Sequence, residues 1–160
     1  MFKNKTVIFF TFLILTTIIA CKSQEKNKTS STIVTSPLFI KMEKTPCYGP
    51  CPSYVIQIFE DGKVSFEGKR FIELIGKYKS TISTEEIETI KNKVLEINFF
   101  ELQDTYDSPA TDIPSCITQV SLNNKTKKII DRRYGPEELK GLEKLIEETV
   151  LKSNLTKIGE

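Results

Sequence analysis

Two apolar periods share this chain, and the point where one gives way to the other fixes its fold class. Leu38, Ile40 and Met42 alternate with Lys41 and Glu43, the period of two expected of a strand with one buried face. The run SYVIQIFEDGKVSFEGKR, residues 53–70, holds two more strand-like stretches on either side of Asp61-Gly62. That pair predicts a tight primed hairpin turn, because glycine accepts a positive φ. A weaker fourth strand is expected at about Gly76 to Ile82. After Ser83 the period lengthens. Ile87, Ile90, Val94 and Ile97 form one helical stripe, and Ser83 and Glu86 have the spacing of a capping box. Phe99 and Phe100 follow and are expected to plug the end of the core.

CITQVSLNNKTKKIIDRR, residues 116–133, reads as a second hairpin turning at Asn123-Asn124. Gly135-Pro136 then opens a last helix, with proline at its first position and Leu139, Leu142, Ile146 and Val150 on its apolar stripe. The predicted order is ββββαββα. Alternating strands followed by one-sided helices specify an α+β, two-layer domain, in which both helices pack on one face of a mainly antiparallel sheet.

The first twenty residues are a different matter. MFKNK is basic, Val7 to Ile19 is apolar apart from its threonines, and Ala20-Cys21 follows. That layout is a secretory signal peptide over residues 1–20. Ile18-Ile19-Ala20-Cys21 resembles the lipobox of bacterial lipoproteins, which implies acylation of Cys21 and anchoring to a membrane through several acyl chains. Lys22 follows, where an aspartate would signal retention at the inner membrane, so the expected location is the outer membrane of a Gram-negative envelope. Residues 21–36 are polar and read as a flexible tether, residues 37–153 as one domain, and residues 154–160 as a tail. Two of the 23 cationic residues, Lys3 and Lys5, leave with the signal peptide, so 21 face 21 acidic ones. Balanced charge gives no footprint for nucleic acid.

In TPCYGPCPSY, residues 45–54, Cys47 and Cys51 are separated by Tyr48-Gly49-Pro50. The spacing differs from that of thioredoxin-type redox pairs, which are two residues apart and begin a helix. A closed zinc site wants four ligands, usually cysteine or histidine, and this chain has no histidine. Besides Cys21 three cysteines remain, and we expect a disulfide between Cys47 and Cys51, with Cys116 left as a lone residue on the core face of its strand. A thiol redox or metal-binding role for the Cys47/Cys51 pair is the alternative. Without histidine, no triad hydrolase and no ready general base are expected, and no catalytic residue, cofactor or metal is assigned. Asp104, Tyr106, Asp107 and Asp112 cluster in one long loop, and Arg132, Arg133 and Tyr134 form a basic-aromatic step before the last helix. These seven are the candidate binding residues, suited to an envelope protein or glycan partner.

Taken together, CYGPCPSYVIQIFEDGKVSFEG, IGKYKSTIS, INFFEL, TDIPSCITQV and YGPEELKGLEKLIEE resemble the bacterial family of domains of unknown function numbered 6438. The likeness spans nearly all of Pro37 to Ser153. It implies an exported or lipid-anchored protein with no assigned activity.

Overall fold

The computed structural model describes residues 36–159, so the leader, Cys21 and the tether up to residue 35 lie outside the described residues. The alternating segments form β1 (Leu38–Lys44), β2 (Ser53–Phe59), β3 (Lys63–Arg70) and β4 (Gly76–Thr81), each antiparallel to the next. Helix α1 (Thr84–Glu96) follows. Its start is fixed by the expected box: the Glu86 amide donates to Ser83 Oγ at 3.2 Å, and the Ser83 amide to Glu86 Oε2 at 2.7 Å. A 3-10 turn at Phe99–Glu101 buries Phe99 completely, with Phe100 edge-on against it.

Beyond it come β5 (Thr105–Tyr106), β6 (Cys116–Leu122), β7 (Lys125–Asp131), helix α2 (Glu137–Lys152) and β8 (Thr156–Lys157). The sheet therefore has eight strands in the order β5-β7-β6-β1-β2-β3-β4-β8, all antiparallel except the β5–β7 pair. The expected order lacks β5 and β8, which are two residues each and too short to display any period. β8 also draws part of the expected tail, residues 154–160, onto the sheet, where the Ile158 amide donates to Lys77 O at 2.9 Å.

The two helices are the crossings that this strand order requires. α1 carries the chain from β4 at one side to β5 at the far edge, and α2 returns it from β7 to β8. Both enter the same core, where Ile87, Ile90 and Val94 from α1 and Leu139, Leu142 and Ile146 from α2 meet the inward residues of the strands. Lys41, Gln57, Ser65, Lys79, Gln119 and Lys128 share a row on the other, solvated face. In β1 the register slips between Leu38 and Ile40, which lets both Phe39 and Ile40 be buried.

Three local expectations meet different outcomes. Asn123 and Asn124 both have positive φ, +52° and +60°, the backbone of a two-residue primed turn. At Asp61-Gly62 only glycine is left-handed, at +82°, and the loop is three residues long. Glu60 is drawn out of the ladder because its amide donates to Pro37 O at 2.9 Å. Pro136 caps α2 instead of starting it, its carbonyl accepting from Leu139 and Lys140 at 3.1 and 3.2 Å.

Gly62 is required where it stands: a Cβ there would lie 2.6 Å from Ile82 O. Gly62→Ala should therefore destabilise the domain by about 1–3 kcal/mol. Gly141, exposed in α2, has only Lys93 Cε within reach of an added Cβ, at 4.0 Å. Gly141→Ala should stabilise by about 0.5–1 kcal/mol, and chemical denaturation of both variants checks the pair.

Candidate functional site

α2 does not bury only its apolar stripe. Glu143 and Glu147, one turn apart, lie beside that stripe on the sheet-facing side; Glu143 is buried and must find a partner there, and Glu147 is partly exposed. Glu143 is 7% exposed and accepts from Thr118 Oγ1 of β6 at 3.1 Å. Glu147 accepts from the fully buried Tyr54 hydroxyl of β2, and its other oxygen meets Lys44 Nζ of β1 at 2.7 Å. The same ammonium stands 5.5 Å from the centre of the Tyr54 ring. Lys44, Tyr54 and Thr118 occupy the core-facing parity of their strands, which is why polar groups confront α2 at this end.

Above these pairs the layers part into a cleft of about 390 Å³. Lys44 and Glu147 form part of its wall; Cys51 and Pro52 come from the loop after β1, Ser115 and Cys116 from the start of β6. Asp131, Arg132, Arg133 and Lys140 complete it from the end of β7 and the first turn of α2. Three loops are tied together around it. The Thr45 amide donates to Ser115 O at 3.0 Å, the Ser115 amide returns to Thr45 Oγ1 at 2.8 Å, and the Tyr48 amide donates to Asp112 O at 3.3 Å. The β7–α2 turn is closed by the Gly135 amide on Asp131 Oδ1 at 2.9 Å, and a Cβ at Gly135 would collide with that carboxylate.

The structure pairs Cys47 with Cys51 in a disulfide, Cα atoms 5.7 Å apart, and leaves Cys116 free. Cys116 is only half-buried, not sealed in the core, because the cleft opens beside it. Burial, and then the nearby charge of Glu143, hold its thiol well above the usual range, so it stays protonated. Burial also pushes Glu143 up to about 7, against hydrogen bonds from Cys116 and Thr118 that favour its charge. Tyr54 is pushed far up by burial and by its bond to Glu147, and so acts as a permanent donor. Among the described residues no group of three His, Cys, Asp or Glu side chains could hold a metal ion.

The seven candidate loop residues divide. Arg132 and Arg133 line the cleft, and Arg133 lies over the Tyr134 ring at 5.8 Å, with Tyr134 62% exposed. Asp107 holds Arg132 Nη1 at 3.2 Å, and Asp112 contributes its carbonyl to the disulfide loop. Asp104 and Tyr106 stand apart, serving structure. Asp104 pairs with Lys127 at 2.9 Å, and the Asp104 and Tyr106 carbonyls accept from Ile130 and Arg132 of the β7 segment. Sequence reasoning overlooked Lys44, Glu143 and Glu147. Their signal was a charge at a position whose spacing belongs to the buried side.

A family model described as "Domain of unknown function (DUF6438)" matches residues 38–150. The chain belongs to this family. The match covers the sheet from β1 through β7, helix α1 and every residue lining the cleft, and stops two residues before α2 ends. No curated protein matches the chain. The cleft is therefore a feature of a DUF6438 domain, and its chemistry has to be read from its own side chains.

Glu143 makes the domain's stability depend on pH. Its folded pKa lies above its ordinary value of 4.5, so its stabilising effect is complete below about 4.5 and is lost as pH rises through about 7. The loss should be on the order of 2–3 kcal/mol. Glu143→Gln, which keeps an acceptor for Thr118, should flatten that fall when denaturation midpoints are compared between pH 5 and pH 8. Replacing Cys47 and Cys51 together by serine opens a five-residue ring. It should cost about 2 kcal/mol by the same measurement.

Proposed function

We propose that this protein is a lipid-anchored binding module of the bacterial cell envelope, tethered to the outer membrane through Cys21, which holds its ligand in the cleft at the loop end of the sheet. The cleft is the observation that carries this reading: several loops are bonded together to build a concave site lined by unlike polar groups. The lipobox and the polar spacer supply the anchor and the reach. The chain enters at the opposite end, where Ser36 Oγ accepts from the Asp61 amide at 3.1 Å, and β1 then runs the length of the sheet to Lys44. A tether joined there leaves the cleft facing away from its attachment point by roughly 20 Å.

The alternative, a thiol redox or metal-binding protein, has less behind it. It would use the Cys47/Cys51 pair, which is joined in a disulfide on a loop and not at the start of a helix that would activate a thiol; Cys116, beside the cleft, is kept protonated by burial and so lends it neither a nucleophile nor a metal ligand.

Cys21→Ser should abolish membrane fractionation and leave a soluble, folded protein. Pelleting with membranes after a high-salt wash would contradict the anchor. In a pull-down from its own envelope, the wild-type protein should retain a component that an Arg133→Glu, Lys140→Glu variant releases.

A further inference from the structure

The cleft has a charge and a rim that together restrict what can occupy it. Lys44, Arg132, Arg133 and Lys140 stand in its wall with Asp131 and Glu147; Lys44 is paired with Glu147 and Lys140 with the exposed Glu137 at 3.0 Å, while Arg133 has no ion-pair partner among the described residues. Arg132 grips Asp107 with Nη1 and has its Nε buried without a hydrogen-bond partner among the described residues. A buried donor left unpaired is unfavourable, and it marks this guanidinium as one that Asp107 alone does not satisfy. The guanidinium is partly exposed, and its remaining N–H groups, with those of Arg133, suit a planar carboxylate.

On the two segments that border the cleft stand two exposed aromatic rings, neither of them part of its wall. Tyr48 is 94% exposed on the disulfide-closed loop, and Tyr134 is 62% exposed on the β7–α2 turn. Neither ring is buried in the core; both are held on short, constrained segments, which makes them pre-ordered flat surfaces. A pyranose ring presents a face of C–H groups to such a surface. A peptide strand has little to join, since the β4 edge pairs with β8 and the end of β7 with β5, while Lys125, Lys127 and Lys128 blunt the rest of β7.

We infer that the cleft recognises a carboxylate-bearing saccharide, its acid group held by Arg132, Arg133 and Lys140 and its sugar rings laid on Tyr48 and Tyr134. This rests on the binding-module reading and narrows it to one class of ligand.

Calorimetric titration of the full-length chain in detergent with trigalacturonic acid tests it, alongside maltotriose, triglutamate peptide and inorganic phosphate. The acidic trisaccharide should bind at one site, weaken as salt screens the charges, and exceed each other probe by about tenfold or more, roughly 1.4 kcal/mol. Tyr48→Ala and Lys140→Gln should each weaken it by about fivefold to tenfold with unchanged circular dichroism. Arg132→Lys, which keeps the charge and removes the fork, should weaken it as well. Equal binding of maltotriose would remove the role of the acid, and equal binding of the peptide or phosphate would remove that of the sugar. No binding, or binding that all three variants leave unchanged, would overturn the inference. A retained envelope component in the pull-down with no uronate binding would sink the ligand class and leave the module standing; loss of both would sink both.

Discussion

A carboxylate that leaves water must be met by a donor or give up its charge, and α2 brings two of them to the sheet. Glu147 is met twice, by Tyr54 and Lys44, and Glu143 by Thr118. The two solutions differ. Glu147 keeps a cation beside it, whereas Glu143 lies deeper, with the acidic Asp131 among its neighbours, and shifts toward the neutral acid. These bonds link the middle of α2 to β1, β2 and β6 at fixed points, which apolar contacts alone do not specify. Leu139, Leu142, Ile146 and Val150 hold the helix along its length in the ordinary way.

That arrangement explains where the cleft lies. The sheet and α2 are sealed by hydrophobic side chains toward the end where the chain enters, and joined by polar pairs toward the loop end, where the layers separate. The disulfide loop, the loop before β6 and the β7–α2 turn meet around this gap because β1, β6 and β7 end side by side, with Lys44 opposite Cys116 and Cys116 opposite Asp131. Segments remote in sequence thus supply one wall. Cys47 and Cys51 brace that wall, and the disulfide holds Tyr48 out in solvent.

Much of the fold was legible in the sequence because its main elements are long enough to show a period. β1 to β4, β6, β7 and both helices follow from alternation and stripes, and the capping box at Ser83 is present bond for bond. β5 and β8 were not legible, since a two-residue strand has no pattern and exists only because a neighbour's edge is there to pair with. The turn at Gly62 was misread because Pro37, distant in sequence, takes the Glu60 amide. The site was half legible. Arg132 and Arg133 were marked by composition, but Asp104 and Tyr106 turn out to be fixed by β7, and Glu143 and Glu147 were not marked at all. Their partners are Thr118, Tyr54 and Lys44, three contacts that no local window contains.

The state of Glu143 is the most direct test of whether α2 is seated this way. Carbon-detected NMR titration of its side-chain carboxyl in the folded protein should give a midpoint near 7. A midpoint close to 4.5, the ordinary value, would mean that the carboxylate stays in contact with water, and the polar seat described for this helix would be wrong.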